Sequence, residues 1–168
     1  MKKITVTLLA IFTFTSFFQI VYAATSEVTW DNYEKYRDIH PSNESRKHFR
    51  ERTFKNFEKH FSKLAAKLPE GQVLKIKVSD VDLAGDTHSG GINQVRIIKD
   101  IFIPRINFSF ELLNTDKRIV KSGDIVLKDM GFMMNTHLKY RNQALGYEKA
   151  MLDKWFADTF KSLIIKAK

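Results

Sequence analysis

The sequence predicts an α+β fold, a two-layer sandwich in which two helices cover one face of a mainly antiparallel sheet of about five strands (order β-α-β-β-β-β-α). Three observations carry this prediction. Two segments, 42–68 and 144–165, repeat apolar residues at spacings of three and four, so each presents one apolar stripe. Between them lie runs of alternating polarity, the signature of strands with one wet face. No cysteine is present, so the two helical stripes and the apolar strand faces must hold one core by packing alone.

Each element has its own justification. Glu27-Val28-Thr29-Trp30 reads as a short first strand, and the polar stretch 31–43 leads through Pro41-Ser42 into the first helix. There Phe49, Phe54, Phe57, Phe61, Leu64 and Leu68 form the stripe, and Pro69 stops it. Leu74, Ile76 and Val78 then alternate with Lys75, Lys77 and Ser79, but Val81 and Leu83 fall on the opposite parity, so either a bulge lies near Asp80 or the strand becomes buried on both sides there. A glycine-bearing loop is expected over 84–94. The run 95–103 is apolar on both parities and reads as a strand that Pro104 breaks. Ile106, Phe108, Phe110 and Leu112 resume strict alternation, the turn Asn114-Thr115-Asp116-Lys117 follows, and 105–127 reads as a hairpin. After the irregular segment 128–143, Leu145, Met151, Leu152, Trp155, Phe156 and Phe160 mark the face of the last helix.

The amino terminus has the pattern of an export signal. Lys2 and Lys3 precede an apolar run from Ile4 to Phe18, and Val21-Tyr22-Ala23 supplies a cleavage site, so residues 1–23 read as a signal peptide cut after Ala23. Thr5, Thr7, Thr13, Thr15, Ser16 and Gln19 make the same stretch a poor bilayer span. The expectation is a periplasmic or secreted protein with no membrane span after cleavage and one domain over 24–168. Cleavage removes two of the 28 basic residues and none of the 19 acidic ones, which leaves a formal charge of +7. Such a surface suits anionic envelope components, namely lipid headgroups, lipopolysaccharide or cell-wall polymers, although a net charge of this size equally serves solubility alone. Nucleic acid is disfavoured because no recognisable binding module is present.

Several segments together resemble a known family: Leu68-Pro69-Glu70-Gly71-Gln72, Asp80-Val81-Asp82-Leu83-Ala84-Gly85, Val95-Arg96-Ile97-Ile98, Pro104-Arg105-Ile106, Leu127-Lys128-Asp129-Met130, and Tyr147-Glu148-Lys149 with Met151-Leu152 and Trp155. Nearly the whole mature chain resembles the bacterial exported family catalogued as domain of unknown function 3016. The resemblance implies a Gram-negative source and a periplasmic address. It implies no activity, cofactor or catalytic residue.

The densest group of hard ligands is Asp80, Asp82, Asp86 and His88, at a strand end followed by a loop, and it is the candidate ligand-binding segment. Its spacing superficially follows a calcium loop, yet Ala84 and Gly91 stand where oxygen ligands belong, and acids that cap a strand end give the same pattern. Arg96, Arg105 and Glu148 are candidates for structural ion pairing. Glu148 lies within the apolar stripe of the last helix, where a carboxylate needs a partner such as Arg105 or Arg141. Met130, Met133, Met134 and His137 have the donors of a copper(I) site, although methionines equally fill packing gaps.

Motifs exclude several classes. No His-Glu-x-x-His, Gly-x-Ser-x-Gly or phosphate-loop motif occurs, and no thiol exists for nucleophilic or thiolate-metal chemistry. The first helix is the basic hot spot, with Arg46, Lys47, Arg50, Arg52, Lys55, Lys59, Lys63 and Lys67 against Glu44, Glu51 and Glu58. Two functional readings follow. One is a small non-enzymatic binding or accessory module with a basic surface and no cofactor; the other is a metal-dependent enzyme or metal-binding protein using the Asp80–His88 segment.

Overall fold

The computed structural model describes residues 23–90, 93–134, 138–140 and 142–164. The expected signal peptide up to residue 22, His137 and Arg141 lie outside the described residues, as does the side chain of His88. In chain order the elements are β1 (Thr25–Trp30), α1 (Arg46–Ala65), β2 (Val73–Asp82), β3 (Asp86–Gly90), β4 (Asn93–Ile97), β5 (Arg105–Leu113), β6 (Ile119–Lys128) and α2 (Gly146–Ile164). The main sheet has four strands in the order β1-β2-β5-β6, while β3 and β4 form a separate two-stranded ribbon. β1 joins β2 in parallel after the crossover through α1, and the other pairings are antiparallel.

Local chemistry sets the boundaries of α1. Ser45 caps it, its side-chain oxygen accepting from the His48 amide at 3.2 Å. The helix begins a few residues later than the sequence pattern suggests because Ser45, rather than Ser42, supplies that cap. A bulge in β2 falls between Val78 and Asp80, so Leu74, Ile76 and Val78 and then Val81 all reach the core side. Beyond the bulge, the segment after β1 runs alongside β2. Asp38 pairs in parallel with Asp82, its amide donates to Val81 O at 3.1 Å, and the Tyr36 hydroxyl donates to Val78 O at 2.8 Å.

Two expectations for the middle of the chain need correction. The segment 84–94 is not a plain loop, since most of it belongs to the β3-β4 ribbon, and the strand read over 95–103 stops at Ile97. Alternation is absent from the ribbon because it does not cover the core; Val95 is 52 % exposed. Past it, the Phe102 amide turns back to Lys99 O at 3.1 Å, which leaves Ile101 in solvent.

One core fills the space between the helices and the inner sheet face. Trp155 meets Phe108 and Phe110 edge-on at 4.8 and 5.5 Å between ring centroids, and Phe61 meets Phe108 at 6.0 Å. Leu64, Leu152 and Phe156 are buried with them, together with Ile106. Opposite Phe110 the sheet carries Gly123, where a Cβ would stand 3.2 Å from the ring. Among the described residues, no helix is long and apolar enough to cross a membrane.

Candidate functional site

The acid-rich end of β2 is held in a dense polar network. Asp80 accepts from the Arg37 amide at 3.0 Å and lies 3.2 Å from the Arg37 guanidinium. Asp82 is half-buried; burial pushes its carboxyl above the usual aspartate range, while its ladder partner Arg105 pulls it back. Asp86 opens β3, its side chain accepting from the Thr87 amide at 2.7 Å. The backbone of His88 pairs with Val95.

Arg96 organises this end of the molecule, and its partner is Asp38. Its two terminal nitrogens grip both Asp38 oxygens at 2.6 and 3.1 Å and also donate to Gly85 O at 3.0 Å and His40 O at 2.9 Å. Glu148 is buried and accepts from the Ala84 amide at 2.8 Å. Among the described residues its partner is this backbone N–H rather than Arg105, and Arg141, the other guanidinium expected from the sequence, lies outside them. Burial raises its carboxyl, and the Ala84 bond opposes that rise. Between these anchors Gly85 has φ +82°, and a Cβ there would stand 2.6 Å from Ile97 O. The network ties α2, the ribbon and the segment after β1 to the end of β2.

Among the described residues, no group of three or more His, Cys, Asp or Glu side chains is placed to hold a metal ion. Met130, Met133 and Met134 are exposed, while Phe132 packs edge-on against Tyr147 at 4.8 Å.

A second constellation lies between α1 and α2. A cavity of about 330 Å³ is lined by Lys59, His60, Lys63 and Lys67 from α1 and the turn after it, by Lys139 and Tyr140 from a short 3-10 turn, and by Lys149 and Asp153 from α2. Asp153 accepts from Lys139 Nζ at 2.6 Å and from the Tyr140 hydroxyl at 2.7 Å. Burial alone would raise its carboxyl, but these two bonds carry it below the usual range. His60 Nε2 lies 3.0 Å from the other Asp153 oxygen, yet neither atom has an aligned hydrogen-bond partner. Burial holds the imidazole at a pKa of about 4 despite the nearby carboxylate, so His60 is neutral at pH 7.

Lys149 is the unusual cation of this cavity, only 8 % exposed. Burial and then the Lys63 charge lower its pKa. Among the described residues, Lys59, Lys63, Lys67 and Lys149 have no carboxylate within ion-pair distance. Like charges spaced four apart along a helix repel. The cavity is thus a concave, strongly positive site whose acid is already occupied.

The sequence marks Lys59, Lys63 and Lys67 as part of a basic helix, but it gives no sign that they line a cavity. His60 sits one residue from Phe61 inside the apolar face, and Lys139 and Tyr140 come from a segment without periodicity. Only the packing of α1 against α2 brings them together.

Fold and site define a two-layer α+β protein with a cationic cavity between its helices. The chain belongs to the family described as protein of unknown function DUF3016, whose model matches residues 24–158. No curated protein and no solved structure matches the chain.

Proposed function

We propose that this is an exported, non-enzymatic binding module that holds an anionic component of the cell envelope on its lysine-bearing helical face. The observation that carries the reading is the cavity between α1 and α2, where four ammonium groups lack a carboxylate partner among the described residues. A cleft lined by one sign of charge focuses the field and steers the opposite charge inward. Lysine-rich α1 supplies further positive charge outside the cavity, so a larger anionic partner gains contacts beyond the pocket.

Export is supported by Lys2-Lys3, the apolar run and Val21-Tyr22-Ala23. Intact-mass measurement of the protein from a periplasmic fraction is expected to give a chain starting at Ala24; retention of Met1 contradicts export with cleavage. For binding, the purified protein is expected to be retained on immobilised dextran sulfate and not on neutral dextran. Combined Lys59→Gln and Lys63→Gln substitution is expected to elute at lower salt than the equally discharged Lys47→Gln and Lys55→Gln pair. Identical elution of the two pairs contradicts a role for the cavity.

The metal-dependent alternative has less support. Asp80 is engaged by Arg37, and Asp38, the acid nearest in register to Asp82, is gripped by Arg96.

A further inference from the structure

We propose that the cavity between α1 and α2 is a site for a phosphate monoester on a small hydroxyl-bearing body, such as a sugar phosphate or a glycerol phosphate. This rests on the anion-binding reading above and narrows it to one chemistry. Lys59, Lys63 and Lys149 hold the phosphate, and Asn56 and Gln143 meet the hydroxyls of the body.

Charge is the first argument. Lys139 is bound to Asp153, but Lys59, Lys63, Lys67 and Lys149 have no carboxylate partner among the described residues. A carboxylate brings a single charge, whereas a phosphate monoester brings about −1.5 to −2 at pH 7 and three acceptor oxygens in one head. The donors are the second argument. Among the described residues the cationic donors of the lining are lysines. Lysine ammonium groups reach a tetrahedral oxyanion as point charges from several directions.

Size and the remaining polar groups set the body. About 330 Å³ lies at the small end of ligand pockets, room for a phosphate with a sugar or glycerol and not for an enclosed polymer. Asn56 Nδ2 donates to Arg52 O at 2.9 Å and Gln143 Nε2 to Lys139 O at 3.3 Å. Each thereby leaves its amide oxygen as the acceptor for a ligand hydroxyl. Lys149 is buried, and an adjacent dianion offsets the cost that burial places on its ammonium.

A phosphate monoester gives up one charge near pH 6, which separates it from sulfate and carboxylate ligands. The protein does not obscure that step. His60, with a pKa of about 4, stays neutral through it, Asp153 stays ionised, and burial raises the Tyr140 hydroxyl away from it. Lys139 is strengthened by Asp153.

The test is calorimetric titration of the purified protein at low salt with glucose 1-phosphate, glucose 6-sulfate, glucuronate and glucose. Glucose 1-phosphate is expected to bind most tightly and to weaken about five- to tenfold from pH 7 to pH 5 as it takes up a proton. Lys63→Gln and, independently, Lys149→Gln are expected to weaken it about tenfold, with Lys55→Gln unchanged. Lys63 is exposed, so its variant remains informative if Lys149→Gln does not fold. Vesicles containing phosphatidic acid, set against phosphatidylglycerol, identify the source. Binding to phosphatidic acid vesicles alone, lost in Lys63→Gln, assigns the monoester to a lipid headgroup; binding of soluble glucose 1-phosphate assigns it to a free sugar phosphate. Equal and pH-independent binding of sulfate and phosphate overturns the phosphate assignment and leaves the anion-binding reading standing. Absence of binding by every anion overturns both.

Discussion

Replacing Arg96 by methionine tests whether the acid-rich end of β2 is a structural hub. The guanidinium is 18 % exposed and Asp38 10 %, and the pair is bidentate, with Gly85 O and His40 O filling further donors. Methionine retains the aliphatic stem but strands the buried Asp38 carboxylate and both carbonyls. Removing one partner of a buried pair costs about 3–5 kcal/mol. Against a total domain stability of about 5–15 kcal/mol, that is a large fraction. In urea, with a slope of about 2–3 kcal/mol/M for a chain of this size, the midpoint moves down by about 1–2.5 M. Arg37→Met is the control: its guanidinium is 53 % exposed beside Asp80, and its loss costs no more than about 1 kcal/mol. Adding Asp38→Asn to Arg96→Met is expected to return part of the lost stability, because it removes the stranded charge. A loss below about 1 kcal/mol for Arg96→Met refutes the hub.

Three further outcomes follow from the same packing and electrostatics. Phe108→Ala removes a buried ring that touches Phe61 and Trp155, and is expected to cost about 3–5 kcal/mol in chemical denaturation; an unchanged midpoint contradicts the shared core. His60 is held at about 4 in the fold against 6.5 for the free side chain, so the unfolded chain takes up the proton first as pH falls. Its contribution is complete above pH 6.5 and is lost on descent towards pH 4, by up to about 3 kcal/mol; a His60→Gln variant is expected to show a flatter profile in that window, and an identical slope contradicts it. For Glu148, whose carboxyl is raised by burial, stability is lost as pH climbs above its unfolded value of 4.5, and Glu148→Gln keeps an acceptor for Ala84 N–H without the buried charge. That variant is expected to be at least as stable as the parent at pH 7 in thermal melts, and marked destabilisation contradicts the assignment.

Period and parity made the sandwich legible. The stripes of α1 and α2 and the alternation of β5 reappear as the contacts of Phe61, Phe108 and Trp155, and the parity switch after Val78 is the bulge itself. The β3-β4 ribbon was not legible, since strands that pair with each other away from the core need no apolar face. Glu148 shows a different limit. A carboxylate in an apolar stripe announces that it has a partner, but its sequence position does not distinguish a guanidinium from the Ala84 amide that meets it. The cavity depends on residues far apart in sequence: Lys63 on α1, Tyr140 in an aperiodic segment, and Lys149 at a position that burial patterns reserve for apolar groups.

An amide-resolved NMR titration of the purified protein with glucose 1-phosphate tests the anion-binding account most directly, because it reports where the ligand sits as well as whether it binds. The account predicts saturable shifts concentrated over residues 56–67 and 139–153, around the cavity, with the amides of Asp80, Asp82 and Arg96 essentially unmoved. Shifts centred on the end of β2 and the ribbon, or a spectrum unchanged at millimolar ligand, contradict it.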